Sequence, residues 1–333
     1  MENNLEKVLV CVEDVNLDEN VIEYTHMIAK AVGMKSVHLL HVIHDIPAEE
    51  RLIRNSEMKG MRTLDLDAHY ESEIKRLTLG YQDAMKESGV RHFGDLEGLE
   101  QHVDVRVGNQ LKYTLEIAHD NDVDLIVMGR HLGARLEKSD AALLARRITR
   151  KATCSVLTIP ENFTPKVSSI LCPVRYSPCS TLALQTAIDL GVAFNARILA
   201  LNLFQIYHDV QYPAIAPDPE LPLVKKVASG RAHAEKENEL LREDINIKGA
   251  DLHFEYGWDE DYHPAEKYEE RVQRQGFDLV VIGARGRTGA AGVLLGSITE
   301  QLIKQCKVPV LATRKKGEHI GVLKAILALF GKV

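Results

Sequence analysis

The stretch DLVVIGARGRTGAAGVLLGSIT, Asp278 to Thr299, passes from an apolar run into glycines at 283, 286, 289 and 292, and then into Gly296-Ser297. Glycine loses more freedom on folding than any other residue, so this density marks backbone that turns tightly or comes close to something else. An apolar run, a glycine loop and a helix-compatible segment read together as strand, turn and helix. The first part of the pattern occurs twice. DLIVMG at 124–129 aligns with DLVVIG at 278–283 without a gap at an offset of 154, and the same offset lays CSVL at 154–157 over VPVL at 308–311.

Working outward from that match, VLVCVED (8–14) and ILCPVRY (170–176) open the two halves. Each is followed by a helix-compatible segment, 15–34 or 179–195, and by a second apolar run, SVHLLHVI or ARILALNLF. A long polar segment with helical periodicity comes next, then a third run, HVDVRVG or DLHFEYG. Short β-branched runs separated by crossovers of this length make parallel strands. The predicted fold class is α/β: two tandem five-stranded parallel-sheet domains of Rossmann-like type, plus a short C-terminal helix. The domains are placed at 1–160 and 168–314, with a basic amphipathic tail at 315–333. The linker falls in PENFTPKVSS, 160–169, where two prolines, an asparagine and serines interrupt the periodicity. A length of 333 residues suits two domains.

Apolar residues make up 45% of the chain and charged residues 27%, a globular balance. The start, MENNLEKVLVCVED, has neither the basic region nor the apolar core of a signal peptide, and no apolar run reaches membrane-spanning length. A soluble, cytoplasmic protein is expected. The five cysteines, Cys11, Cys154, Cys172, Cys179 and Cys306, are scattered and mostly inside apolar runs, and read as reduced, buried thiols. A net charge of -7 opposes general nucleic-acid binding, which needs a basic surface.

In open parallel sheets, ligands bind outside the carboxyl ends of the strands where the strand order reverses. The glycine loop begins there, at the end of the second half's fourth strand. A strand ending at Ile282-Gly283 and a helix starting near Gly296-Ser297 would turn backbone N–H groups and a helix N-terminus towards an anion, with phosphate the natural ligand. Ser297 and Thr299 add hydroxyls. A P-loop would need a lysine before Ser297, and a dinucleotide fingerprint would need G-x-G-x-x-G after the first strand; neither is present. The competing reading is that the glycines only shape a tight connection.

Gly283-x-x-Gly286, nine residues, and then Gly296-Ser297 resembles the G-2x-G-9x-G-[ST] nucleotide-binding motif of the universal stress protein family. The likeness covers nearly the whole chain as two tandem domains, and CKVPVLATR resembles the family's closing strand. It implies an adenine-nucleotide site, ATP or AMP, lying along the strand ends of the second domain. Pro173 matches the family proline after the first strand, and Leu203 stands where a valine contacts adenine. Ile282, Gly283, Gly286, Arg287, Gly296, Ser297, Ile298 and Thr299 match the phosphate and ribose side. Arg175 departs from the family, standing where an aspartate normally faces the nucleoside. In the first domain the motif is degenerate: Gly286, Gly296 and Ser297 align with Leu132, Ala142 and Leu143, and only Gly129 survives. That half is expected to serve as a partner or regulatory domain.

Other features have plainer readings. His41 and His44 are three apart on a strand, so they point to opposite faces and do not chelate unless the strand ends between them. The acidic WDEDYH, 258–263, suits a helix start; positioning Mg²⁺ beside the phosphates is its alternative. Arg130, Arg135, Lys138, Arg146, Arg147, Arg150 and Lys151 form a basic face, either solvated or docking an acidic partner. The tail must bury its apolar side on this chain or a dimer partner, or lie on a membrane surface or in a partner's groove. No general base or nucleophile is evident. The expected function is therefore a stress-response regulatory protein whose nucleotide biases its conformation or self-association. A slow ATPase or phosphotransferase is one alternative, and an interaction scaffold with a closed or apolar-ligand pocket the other.

Overall fold

The computed structural model describes residues 5–13, 18–44, 63–130, 140–161, 163–206, 222–285 and 295–317, with Leu323, Leu327 and Ala328. The apolar runs of the first half form β1 (Lys7–Cys11), β2 (Ser36–Ile43), β3 (Glu100–Val107), β4 (Leu125–Arg130) and β5 (Ser155–Pro160). Between them lie α1 (Glu19–Val32), α2 (Thr63–Phe93), α3 (Gln110–Asp120) and α4 (Asp140–Lys151). The second half repeats the order as β6 (Ser169–Pro173), α5 (Pro178–Phe194), β7 (Arg197–Phe204), α6 (Leu223–Glu243), β8 (Leu252–Trp258), α7 (Pro264–Gln275), β9 (Leu279–Gly283), α8 (Ser297–Gln305) and β10 (Val310–Thr313). Local chemistry sets several boundaries. The Asn109 side chain caps α3, Ser177 caps α5 with Pro178 behind it, and Gly33 and Gly276 end α1 and α7 in the left-handed conformation.

Both halves share one sheet, in the order β3-β2-β1-β4-β5-β10-β9-β6-β7-β8. Each half is parallel within itself, as expected, but β5 and β10 pair antiparallel and fuse the two sheets into one of ten strands. Leu157 lies opposite Leu311, its own counterpart at the 154-residue offset. A pseudo-twofold axis therefore passes through the seam, as in an isologous dimer interface. Two cores lie on the two faces. One collects α1, α2, α5 and α6 through Ile22, Met85, Leu184 and Leu241; the other collects α3, α4, α7 and α8 through Leu115, Ile148, Tyr268 and Leu302.

Charged side chains cross the seam. Arg130, at the end of β4, is 1% exposed and donates through Nη2 to the carbonyls of Cys306 and Val308 (2.8 Å to the latter), where α8 ends. Burial pushes its guanidinium down to about 10, so it keeps its charge at neutral pH. Arg314, after β10, donates to the Thr149 carbonyl in the last turn of α4 at 3.0 Å. Each half thus sends an arginine to the negative end of the other half's last helix. The start of the tail crosses too: Gly317 N–H reaches Thr153 O (3.0 Å), and Lys316 Nζ binds Asp122 Oδ2 (2.8 Å) and Asp124 Oδ1 (2.7 Å). Leu323 is buried in the second core with Leu327 packed against it, so the described part of the tail covers its own chain.

The matched aspartates of the repeat share one task. Asp124 Oδ2 accepts the Glu6 and Lys7 N–H groups ahead of β1, and Asp278 Oδ2 accepts Ser168 N–H (2.9 Å) and both the Ser168 and Ser169 hydroxyls ahead of β6. Burial alone would raise the Asp278 carboxyl, but these donors and Lys166 at 3.4 Å hold it below the ordinary 3.8. A carboxyl held low stabilises the fold above its unfolded pKa, and the contribution is lost as pH falls through the folded value. Asp278→Asn is expected to cost about 2 kcal/mol near neutral pH. In urea unfolding the gap from wild type should close as pH drops below 3.8; parallel stability curves across that range would contradict this account.

Candidate functional site

β6 and β9 are neighbours, but their chains leave in opposite directions, β6 into α5 on one face and β9 into α8 on the other. Their carboxyl ends therefore flank the topological switch point of the second half. The paired register between them covers Ile170–Leu279 and Leu171–Val280. In the first half the β1–β4 register runs further, through Val10–Val127 and Cys11–Met128. Pro173 stands where Cys11 does and has no N–H to continue a ladder, so the crevice opens in the half that carries the glycine motif.

The structure brings several of the expected site residues to this crevice. Leu203 and Ile282 belong to the α7/α8-side core, with Tyr268 between the sheet and α7. Pro173 is buried at the end of β6. Arg175 is half-buried, its N–H donating to Ser180 Oγ at 3.1 Å, and its charge bears on the buried Tyr268 hydroxyl. Burial pushes the Tyr268 hydroxyl up, and the Arg175 charge opposes that shift. Next along the chain, Tyr176 holds a left-handed backbone (φ 49°), and its hydroxyl ties the turn to Ala234 O at 2.7 Å on α6.

Across the crevice, Gly296 N–H bonds Ala284 O at 2.9 Å, closing the base of the glycine loop. The N-cap of α8 is Gly296, which has no side chain to cap the first N–H groups, and Ser297 is exposed beside them. Ile298 is half-buried. Thr299 is 2% exposed and donates its hydroxyl to Gly283 O at 2.9 Å, so it holds the loop rather than offering a phosphate donor. Gly286 and Arg287 lie outside the described residues.

Gly283 has a reason of its own to lack a side chain. A Cβ there would come within 2.7 Å of Cys179 O and 2.9 Å of Cys179 C, the backbone of the first turn of α5. At Gly129 a Cβ would meet Asp18 Oδ1 at 2.9 Å. The glycine kept in both halves is thus the one that helix packing demands. In the first half the buried Asp18 carboxylate lies over the strand end and accepts Glu13 N–H at 2.6 Å, filling space that the second half leaves to backbone.

Other candidates find partners within the chain. Asp259 is fully buried and receives Gln205 Nε2 (2.8 Å), His263 N–H (3.2 Å) and Lys267 Nζ (3.2 Å), which makes it a support for the start of α7. His41 is buried, its Nδ1 2.9 Å from Val12 O, and stacks on Tyr81, while His44 is exposed just beyond the end of β2. The basic face of α4 is only partly solvated, because Arg146 and Arg150 bind Glu300 of α8. Arg135 and Lys138 lie outside the described residues. All five cysteines are free, four of them buried. A cavity of about 830 Å³ runs beside α5 and the end of α6, from Tyr176 and Cys179 at the start of α5 to Gln185, Leu240 and Lys248. Among the described residues no helix is long and apolar enough to cross a membrane.

This arrangement, two doubly wound halves with one glycine-lined switch point, has counterparts. The Universal stress protein family profile matches residues 4–160 and again 166–314, and the chain belongs to that family. A universal stress protein of Mycobacterium tuberculosis is 23% identical over 216 residues, which cover 59% of this chain and 63% of the relative's length. One from Methanocaldococcus jannaschii is 28% identical over 162 residues, 48% of this chain and 88% of that protein. In three dimensions, a universal stress protein from Archaeoglobus fulgidus superposes with a TM-score of 0.60 at 13% identity, covering 95% of this chain and 98% of its own.

The two packing glycines make a graded prediction. Gly283→Ala meets backbone, which cannot give way cheaply, and should lower stability by about 2–3 kcal/mol. Gly129→Ala meets one carboxylate oxygen and should cost less, about 1 kcal/mol. Thermal unfolding of the two variants tests the order; equal losses would mean that helix packing is not what keeps these glycines.

Proposed function

We propose that the protein is a stress-response regulator that binds an adenine nucleotide, ATP or AMP, in the crevice of its second half. The observation that carries this reading is the glycine N-cap of α8, with Ser297 exposed beside it, facing a strand pair whose ladder ends early at Pro173. The first N–H groups of a helix and its positive end favour phosphate. The nucleoside then lies over Leu203 and Ile282, with the phosphates beside Gly283, Gly296 and Ser297; Gly286 and Arg287, which the family resemblance assigns to the phosphate side, lie outside the described residues. Arg175 puts a cation where relatives of this type carry an acid, and in this reading it reaches towards phosphate or ribose hydroxyls. The first half, with its strand ends zipped together and Asp18 over Gly129, is the partner domain rather than a second nucleotide site. Output is a change in conformation or association, since a ligand that binds one state better shifts the population towards it.

Titration calorimetry with ATP, AMP and GTP, beside the Gly296→Val, Ser297→Ala double variant, tests this. Adenine-selective binding that the variant loses is expected. A wild type that binds none of the three, or a variant that binds like wild type, rejects the site.

A further inference from the structure

Glu300 lies in the first turn of α8, three residues after Ser297, and residues three apart share a helix face. An acid in this turn favours an empty helix N-terminus, but it opposes a phosphate bound at the same place. The site should therefore suffer from this carboxylate. Two arginines of the first half alter that balance: Arg146 Nη1 lies 3.3 Å from Glu300 Oε1, and Arg150 Nη2 lies 3.0 Å from Glu300 Oε2 and 3.1 Å from Oε1. The three side chains are 29%, 43% and 28% exposed, so the group is shielded enough to act on its neighbourhood yet open to solvent and salt. Two positive charges against one negative leave a net +1 beside the start of α8, and both positive charges come from the half without the glycine motif. The far end of the same helix is held by the first half as well, through Arg130 on the Cys306 and Val308 carbonyls.

We infer that Arg146 and Arg150 are specificity-determining residues of the nucleotide site, setting from the first half how strongly the second half prefers a polyphosphate to a monophosphate. This rests on the function proposed above. A net positive group near the phosphates acts in proportion to their charge, so it raises affinity for ATP more than for AMP. Because the group is partly exposed, the preference falls as salt rises. The first half thereby takes part in recognition without touching the base.

Charge variants separate this from a purely structural role. Arg150→Glu changes the group from +1 to -1, and at low salt it should weaken ATP about tenfold and AMP about threefold. Adding Glu300→Arg to Arg150→Glu returns the net charge to +1 and should restore the ATP to AMP ratio. Glu300→Gln breaks both ion pairs but raises the net charge, and should tighten ATP about threefold. If the contacts mattered only for packing, that last variant would weaken binding instead. Calorimetry with ATP and AMP at two salt concentrations reads these effects, and a thermal melt of each variant confirms that it is folded. A wild type that binds nucleotide while the charge series leaves the ATP to AMP ratio unchanged overturns the inference alone. So does Glu300→Gln weakening ATP as Arg150→Glu does. A wild type that binds no nucleotide overturns the proposed function and this inference together.

Discussion

The antiparallel pairing of β5 with β10, centred on Leu157 and Leu311, is the contact from which the rest of the architecture follows. Three paired positions contribute little as hydrogen bonds, about 1 kcal/mol each at most. Their importance is geometric. By placing each half's last strand beside the other's, they align two sheets into one, bring α4 against α8, and let both cores run through the seam. Burial of apolar surface on both faces then supplies the larger stabilisation. The crossed arginines, Arg130 and Arg314, satisfy helix-end carbonyls that would otherwise be buried without donors. Arg130 retains a cost, since its Nε and Nη1 find no acceptor among the described residues.

The strands were legible because a buried parallel strand is a continuous apolar run, and DLIVMG and DLVVIG could be matched letter by letter. The start of α8 was legible for a related reason, since Gly296-Ser297 after a glycine loop announces helix entry. The seam was not. Nothing in a strand's composition says which edge it presents or to whom, and β5 and β10 read as ordinary last strands of separate sheets. A faint signal existed: in both DLIVMGR and PVLATR an arginine closes an apolar run, an unusual place for a charge unless a carbonyl waits for it.

At the site, residue identity was easier to read than residue task. Gly283 and Thr299 fit a nucleotide motif, yet the structure engages Gly283 against Cys179 and Thr299 with the Gly283 carbonyl. Asp259, read as part of a helix start with a metal role as the alternative, is enclosed by Gln205, His263 and Lys267. Each case has the same cause. Glycine, threonine and aspartate serve both backbone and ligand, and only the neighbours in space distinguish the two uses. The difference between the crevices was legible only in part: Pro173 stands in the sequence, but its effect appears in how far the β1–β4 and β6–β9 ladders extend.

Glu300 and Arg146 are themselves counterparts at the 154-residue offset, and they form an ion pair across the pseudo-twofold axis. In a symmetric assembly of identical subunits, a residue so close to the axis meets its own copy, and a charge there repels itself. A single chain with two halves is free of that rule. Once fused, the halves could acquire opposite signs at one equivalent position, so that each now matches the other better than it matches itself. The pair is thus a recognition code of one letter per half. It would sort first halves with second halves even without the linker, and it makes the duplication hard to reverse, because neither half any longer carries the charge needed to pair with its own kind.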